Sequence, residues 1–384
     1  TQDIVETCHL VGLLHWQRGL ALGDERALPE VRTATALLVV VSLLKPELPL
    51  PQPVPRPPEA PLRLDGEATW EELLQVLAQH LNDGADAHTA RLTIHAACNS
   101  VADAAEDPAL LAGRMRVLGM AWQRLYEHTG ELADIEQAVA VARGTAKQSA
   151  IGSADRTMSL HNLAESLRAL FNRTGYVRHL REAVDTGRVA VRETSQADDK
   201  RYISLGGLAD SLRMLYERTD DAAALDEALQ LSASALEALP ESDRDRSAVL
   251  MNSAILLRYQ FERTGDQPIL YEAIAMSRSA VRAAPRGTPT QQTALHNLGN
   301  LLHILSERTG DMAALDEAIE AASAAVDVTP PEHPDGARYR STLVGMLNQR
   351  FNRAGDAHAL DRAIALGSEA VAATPEDHPN RWMY

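Results

Sequence analysis

Three arginines, Arg168, Arg213 and Arg258, stand 45 residues apart, and the planar guanidinium fork of each suits a carboxylate or a phosphate. Stacked in consecutive units of a repeat, they could clamp an acidic peptide or a chain-terminal carboxylate. Glu165 and Asp210 lie three residues before Arg168 and Arg213, a helical spacing at which the cations pair locally, worth roughly 0.3–0.5 kcal/mol each. Both uses stay open on residue type alone. The run His95–Ser100, "HAACNS", places His95 three residues from Cys98, and a low-pKa thiol beside an imidazole is a nucleophile in peptidases. Here both fall on one helix, with no strand or elbow to present the sulfur, so catalysis is not expected. The thirteen histidines contain no His-Glu-x-x-His or Cys-x-x-Cys spacing, and no glycine-rich loop follows a strand. Neither a metal, a nucleotide nor another cofactor is expected.

The elements that must position these residues follow from a strict period. Arg-Thr-Gly or a near copy ends at Gly130, Gly175, Asp220, Gly265, Gly310 and Gly355, every 45 residues. Such self-similarity marks an array in which each unit buries its apolar face on its neighbours. Twelve residues before each of these points stand Leu118, Leu163, Leu208, Ser253, Leu298 and Leu343, and eight before stand Trp122, Leu167, Leu212, Leu257, Leu302 and Leu347. These form one face of a first helix. Four before comes an aromatic, Tyr126, Phe171, Tyr216, Phe261 or Phe351, with Ser306 the exception. Nine after stand Val139, Val184, Leu229, Ile274, Ile319 and Ile364, one face of a second helix. Glycine ends the first helix by taking a left-handed conformation, and Pro240, Pro285, Pro330 and Pro375 stop the second. Arg173, Arg218, Arg263, Arg308 and Arg353, two before each point, are expected to bond the last carbonyls of the first helix at its negative end. Ala and Leu dominate and aromatics are 4% of the chain, so the fold class is all-α.

Residues 1–45 read as a helical hairpin off this register, about Ile4 to Leu22 and Leu28 to Leu44. Residues 46–63 form a proline-rich linker that excludes helix. Residues 64–384 hold about seven repeats, the first degenerate, the last followed by a repeat cut short near Trp382 and Tyr384. The chain begins at Thr1 without Met, consistent with a piece missing upstream. Net charge is −16, which repels duplex nucleic acid and anionic membranes on average. The longest apolar run, Leu37 to Leu44, falls short of the roughly 20 residues that span a bilayer. Two cysteines, Cys8 and Cys98, suggest no disulfide framework, so a reducing cytoplasm is expected.

The segment Leu295–Pro330 resembles a tetratricopeptide repeat: Asn297-Leu298-Gly299 in the first helix, Gly310-Asp311 in the turn, then Ala318-Ile319, Ala325 and Pro330. A small residue recurs in the first helix as Gly119, Ala164, Ala209, Ala254 and Gly299, letting two helices approach closely. The usual unit has about 34 residues, and the eleven extra here, with the wording "RTGD", "LDEAI" and "TPEDHP", resemble the stretched arrays that precede CHAT domains in actinobacterial proteins. The resemblance implies a right-handed α-solenoid of tandem helical hairpins whose concave groove is lined by positions seventeen, fourteen, ten and seven before each repeat point. It thereby places Gln123, His161, Arg168, Arg213, Met251, Arg258, His296, Asn300, His303 and Asn348 in the groove. The function it implies is non-enzymatic capture of a protein or peptide, for which the arginines suggest an acidic segment, by the regulatory part of a protein whose caspase-like effector lies elsewhere. Self-association through an uncovered end of the array is the alternative.

Overall fold

The computed structural model describes residues 77–79, 81, 86–103, 108–240, 243, 245–329 and 336–372. The expected N-terminal hairpin, the proline-rich linker and the shortened last repeat lie outside the described residues, as do Pro330 and Pro375. The described residues form helices, turns and loops without a strand. They divide into two compact units, residues 1–195 and 196–384. In the first unit lie α1 (Ala87–Asp103), α2 (Pro108–Thr129), α3 (Leu132–Gln148), α4 (Ala154–Thr174) and α5 (Val177–Glu193). In the second lie α6 (Arg201–Thr219), α7 (Ala222–Ala238), α8 (Arg246–Thr264), α9 (Gln267–Ala283), α10 (Pro289–Thr309), α11 (Met312–Asp327), α12 (Gly336–Ala354) and α13 (Ala357–Ala372).

Within each unit the helices pair as hairpins, and the second helix of one hairpin packs on the first helix of the next. The repeat columns explain this stacking. Leu163 and Leu167 on α4 are buried together with Ile135, Ala138, Val139 and Ala142 of α3. In the second unit, Leu298 and Leu302 of α10 join Ile274 of α9, Ile319 of α11 and Leu343 of α12 in one continuous apolar core. Ser253 stands where the other repeats have leucine, and its hydroxyl lies 2.7 Å from that of Ser232, so the polar intruder is satisfied by a second one.

Each residue of the Arg-Thr-Gly motif has its own physical role. Gly175, Gly265 and Gly310 take φ between 70° and 76°, and their N–H groups donate to the carbonyls of Phe171, Phe261 and Ser306. The hydroxyls of Thr174, Thr264 and Thr309 donate to carbonyls four residues back, and the same oxygens accept the N–H groups of Tyr176, Asp266 and Asp311. One side chain thus ties the end of the first helix to the start of the second. Asp220 holds the turn position with φ 57°, the one non-glycine with positive φ among the described residues. A Cβ is strained there, so Asp220→Gly should stabilise the chain by about 0.5–1 kcal/mol, read as a higher urea midpoint at unchanged slope.

The arginine of the motif reaches beyond the end of its own helix. Arg353 donates to the Ser306 carbonyl in the last turn of the preceding first helix, 2.9 Å away. Arg263 reaches Asp226 of the preceding second helix at 2.8 Å, and Arg308 lies over the Phe261 ring. These cations bond the previous repeat, because the side chain is long enough to cross the interface that its own helix end faces.

Candidate functional site

The first helices of the second unit, α6, α8, α10 and α12, contact one another in succession, and between them opens a cleft of about 430 Å³. It is lined by Arg213 from α6, Ile255, Arg258 and Tyr259 from α8, Asn297, Asn300, His303 and Ile304 from α10, and Arg338 from α12. A 45-residue period delivers these residues to one surface because each first helix repeats the rotation of the last.

Arg213 and Arg258 of the cleft are engaged within their own helices. Arg213 reaches Asp210 at 2.6 Å and also pairs with Glu217. Burial works against its charge, but the two carboxylates outweigh burial and raise its pKa. The hydroxyl of Tyr259 donates to Glu217 at 2.6 Å, so one carboxylate joins α6 to α8. Burial, and then this bond, push the Tyr259 pKa up. Arg258 pairs with Glu262 and lies 4.3 Å from the centre of the Tyr259 ring, a cation–π contact.

Behind the cleft, His296 is buried and lies against Tyr339 with ring centres 4.5 Å apart. Asn300 Nδ2 stands 3.0 Å from His296 Nε2, and an Arg338 Nη stands 3.5 Å from the same nitrogen. His303 Nε2 comes within 3.9 Å of Glu307.

Of the ten residues expected in the groove, the cleft gathers Arg213, Arg258, Asn300 and His303, with His296 directly behind Asn300. Met251 instead packs beside the apolar cluster of Leu250, Ala280 and Ala294, and Asn348 is exposed outside the cleft lining. Gln123, His161 and Arg168 belong to the first unit. There Gln123 accepts from the Ser166 hydroxyl at 2.9 Å, linking α2 to α4. Tyr259 and Arg338 also line the cleft, as does Asn297, which the sequence marks only as part of the repeat motif. Arg338 stands seventeen before Gly355, in a column the resemblance names as groove-lining, and was legible there.

Burial lowers the His161 pKa, Arg168 lowers it further, and Glu165 opposes both. A histidine kept neutral in the fold binds fewer protons than the unfolded chain once pH falls below about 6.5. Its contribution is therefore full above that pH and declines below it. The stability difference between pH 7.5 and 5.5 should shrink in His161→Gln, measured by urea unfolding at the two values. An unchanged difference would assign the acid sensitivity to other groups.

Among the described residues no group of His, Cys, Asp or Glu is placed to hold a metal ion, and no helix is long and apolar enough to cross a membrane. No family model matches the sequence, and no curated protein matches it. Solved structures do match. The chain is similar to BtubC (BKLC) from P. vanneervenii, at 18% identity over 65% of this chain and 93% of that one, with a TM-score of 0.45. It is also similar to a putative kinesin light chain of Podosopora anserina with nearly identical TPR-like repeats, at 17% identity over 55% and 96%, TM-score 0.40. A third likeness is the apo form of the quorum sensor NprR from B. thuringiensis, at 11% identity over 78% and 89%, TM-score 0.42. The helical-repeat fold of this chain stands on its own hairpins, columns and turns.

Proposed function

We propose that the chain is a non-enzymatic recognition array that holds a protein or peptide segment along its first helices. The observation that carries this reading is the second-unit cleft, where four successive first helices turn arginine, asparagine, histidine and tyrosine side chains toward one opening. A row of polar groups on a rigid helical layer suits an extended ligand better than a small substrate, which takes an enclosed, mostly apolar pocket. Cys98 points the same way, because partial desolvation raises its thiol pKa, the reverse of nucleophile activation. A CHAT effector on the same polypeptide, with a cytoplasmic setting, is the extension of this reading that the repeat wording favours. Asn297→Ala with Asn300→Ala should reduce binding to hits from a random peptide array by about tenfold or more, with helicity intact. Hits that bind this double variant as well as the unaltered chain would reject the cleft.

A second reading, association between copies, is favoured by Ile364. In its column Val139, Val184, Ile274 and Ile319 are buried, whereas Ile364 on α13 is 61% exposed. Light scattering over a concentration series, with Ile364→Asp as the control, tests it. A strictly monomeric profile for the unaltered chain would dismiss it.

A further inference from the structure

We infer that the second-unit cleft takes an extended peptide segment bearing basic side chains, the reverse of the acidic preference that the arginine column suggests by itself. This rests on the groove reading above and gives its ligand a charge. The guanidiniums of the cleft are already engaged: Arg213 with Asp210 and Glu217, Arg258 with Glu262 and the Tyr259 ring, and Arg338 toward His296 and over Tyr339. An acidic ligand must take Arg213 or Arg258 away from a carboxylate that stays one helical turn distant. It would then sit beside that carboxylate's like charge, so little attraction is left over.

The carboxylates paired with side chains that line the cleft, Asp210, Glu217, Glu262 and Glu307, outnumber its arginines, Arg213, Arg258 and Arg338. The side chains of Glu262 and Glu307 are 44% and 57% exposed, so incoming cations can reach them without breaking the core. The whole chain carries a net charge of −16, which draws cationic segments in and slows acidic ones at a distance. The side-chain amides of Asn297 and Asn300 line the same cleft and match the donors and acceptors of an extended main chain. Ile255, Ile304 and the Tyr259 ring offer apolar surface on which the methylene stems of lysine or arginine can lie while their charged heads meet the rim.

The test uses the full chain and two short fluorescent peptides that share one Gly-Ser-Leu frame, one bearing lysines and the other glutamates at the same places. By fluorescence anisotropy the lysine peptide should bind, weaken as salt rises, and lose about tenfold in affinity to Glu262→Gln with Glu307→Gln. Glu182→Gln with Glu317→Gln removes the same formal charge from second helices, at carboxylates whose partners Arg143 and Arg278 do not line the cleft, and should cost less than about twofold. Equal losses from the two double variants would mean attraction to the whole anionic surface and overturn the inference, as would binding of neither peptide. Asn297→Ala with Asn300→Ala separates this failure from failure of the groove reading. If the glutamate peptide binds and that binding falls in the asparagine variant, the groove stands and the basic preference is wrong. If a peptide binds equally well with and without the two asparagines, the groove reading itself fails. Circular dichroism of each variant confirms retained helix.

Discussion

Leu315→Ala should destabilise the second unit by about 2–5 kcal/mol, the cost of removing a fully buried aliphatic side chain from a site that cannot collapse. Leu315 lies on α11 with no exposed surface, in the cluster formed by α8, α9, α10, α11, α12 and α13. Two features put the cost toward the upper part of that range. The neighbouring positions Ala314, Ala318 and Ala322 are small and also buried, so no flexible side chain can swing into the space. Helices on either side are held by turns at fixed spacing, which limits inward movement of the backbone. Urea unfolding of the single variant should show the loss as a lower midpoint. A shift below about 1 kcal/mol would mean the core is looser than its burial indicates.

Gly299→Leu should destabilise by about 1–3 kcal/mol for the opposite reason, because it forces atoms into a contact that has no room for them. A Cβ built on Gly299 would stand 3.3 Å from the Ala318 carbonyl oxygen and 3.4 Å from Ala322 Cβ. The first of these neighbours is backbone, and moving it means moving α11. Gly299→Ala asks for a few tenths of an ångström and should cost much less, so the pair of variants separates steric crowding from helix propensity. By propensity alone both substitutions favour the helix. If Gly299→Leu proves as stable as the unaltered chain, α10 and α11 do not approach as closely as described.

The hairpins and their core were legible in the sequence because burial and period are local properties. Leu167, Leu212, Leu302 and Leu347 fall in one column and are all buried. The left-handed turns at Gly175, Gly265 and Gly310 followed from residue type alone. The cleft was legible only in part. Arg213 and Arg258 could be placed on a groove-facing column, yet the bond from Tyr259 to Glu217 joins residues 42 apart and exists only once α6 and α8 are laid side by side. The role of Arg353 was missed for the same reason. Its carbonyl acceptor belongs to the helix before, and a helix-end argument considers only the helix to which the residue belongs. Met251 shared a column with His296, but the apolar cluster around Leu250 claimed it, since a thioether has more to gain from packing than from facing a polar opening.

Each 45-residue unit is a hairpin whose stability comes from itself and its nearest neighbours, so one unit can be taken out without disturbing the rest. Removing residues 266–310 joins Gly265 directly to Asp311 and keeps every column in step. The shortened chain should stay soluble and helical and still unfold cooperatively, with a denaturant slope reduced in proportion to the surface removed. Loss of cooperative unfolding, or a collapsed chain without fixed packing, would contradict it.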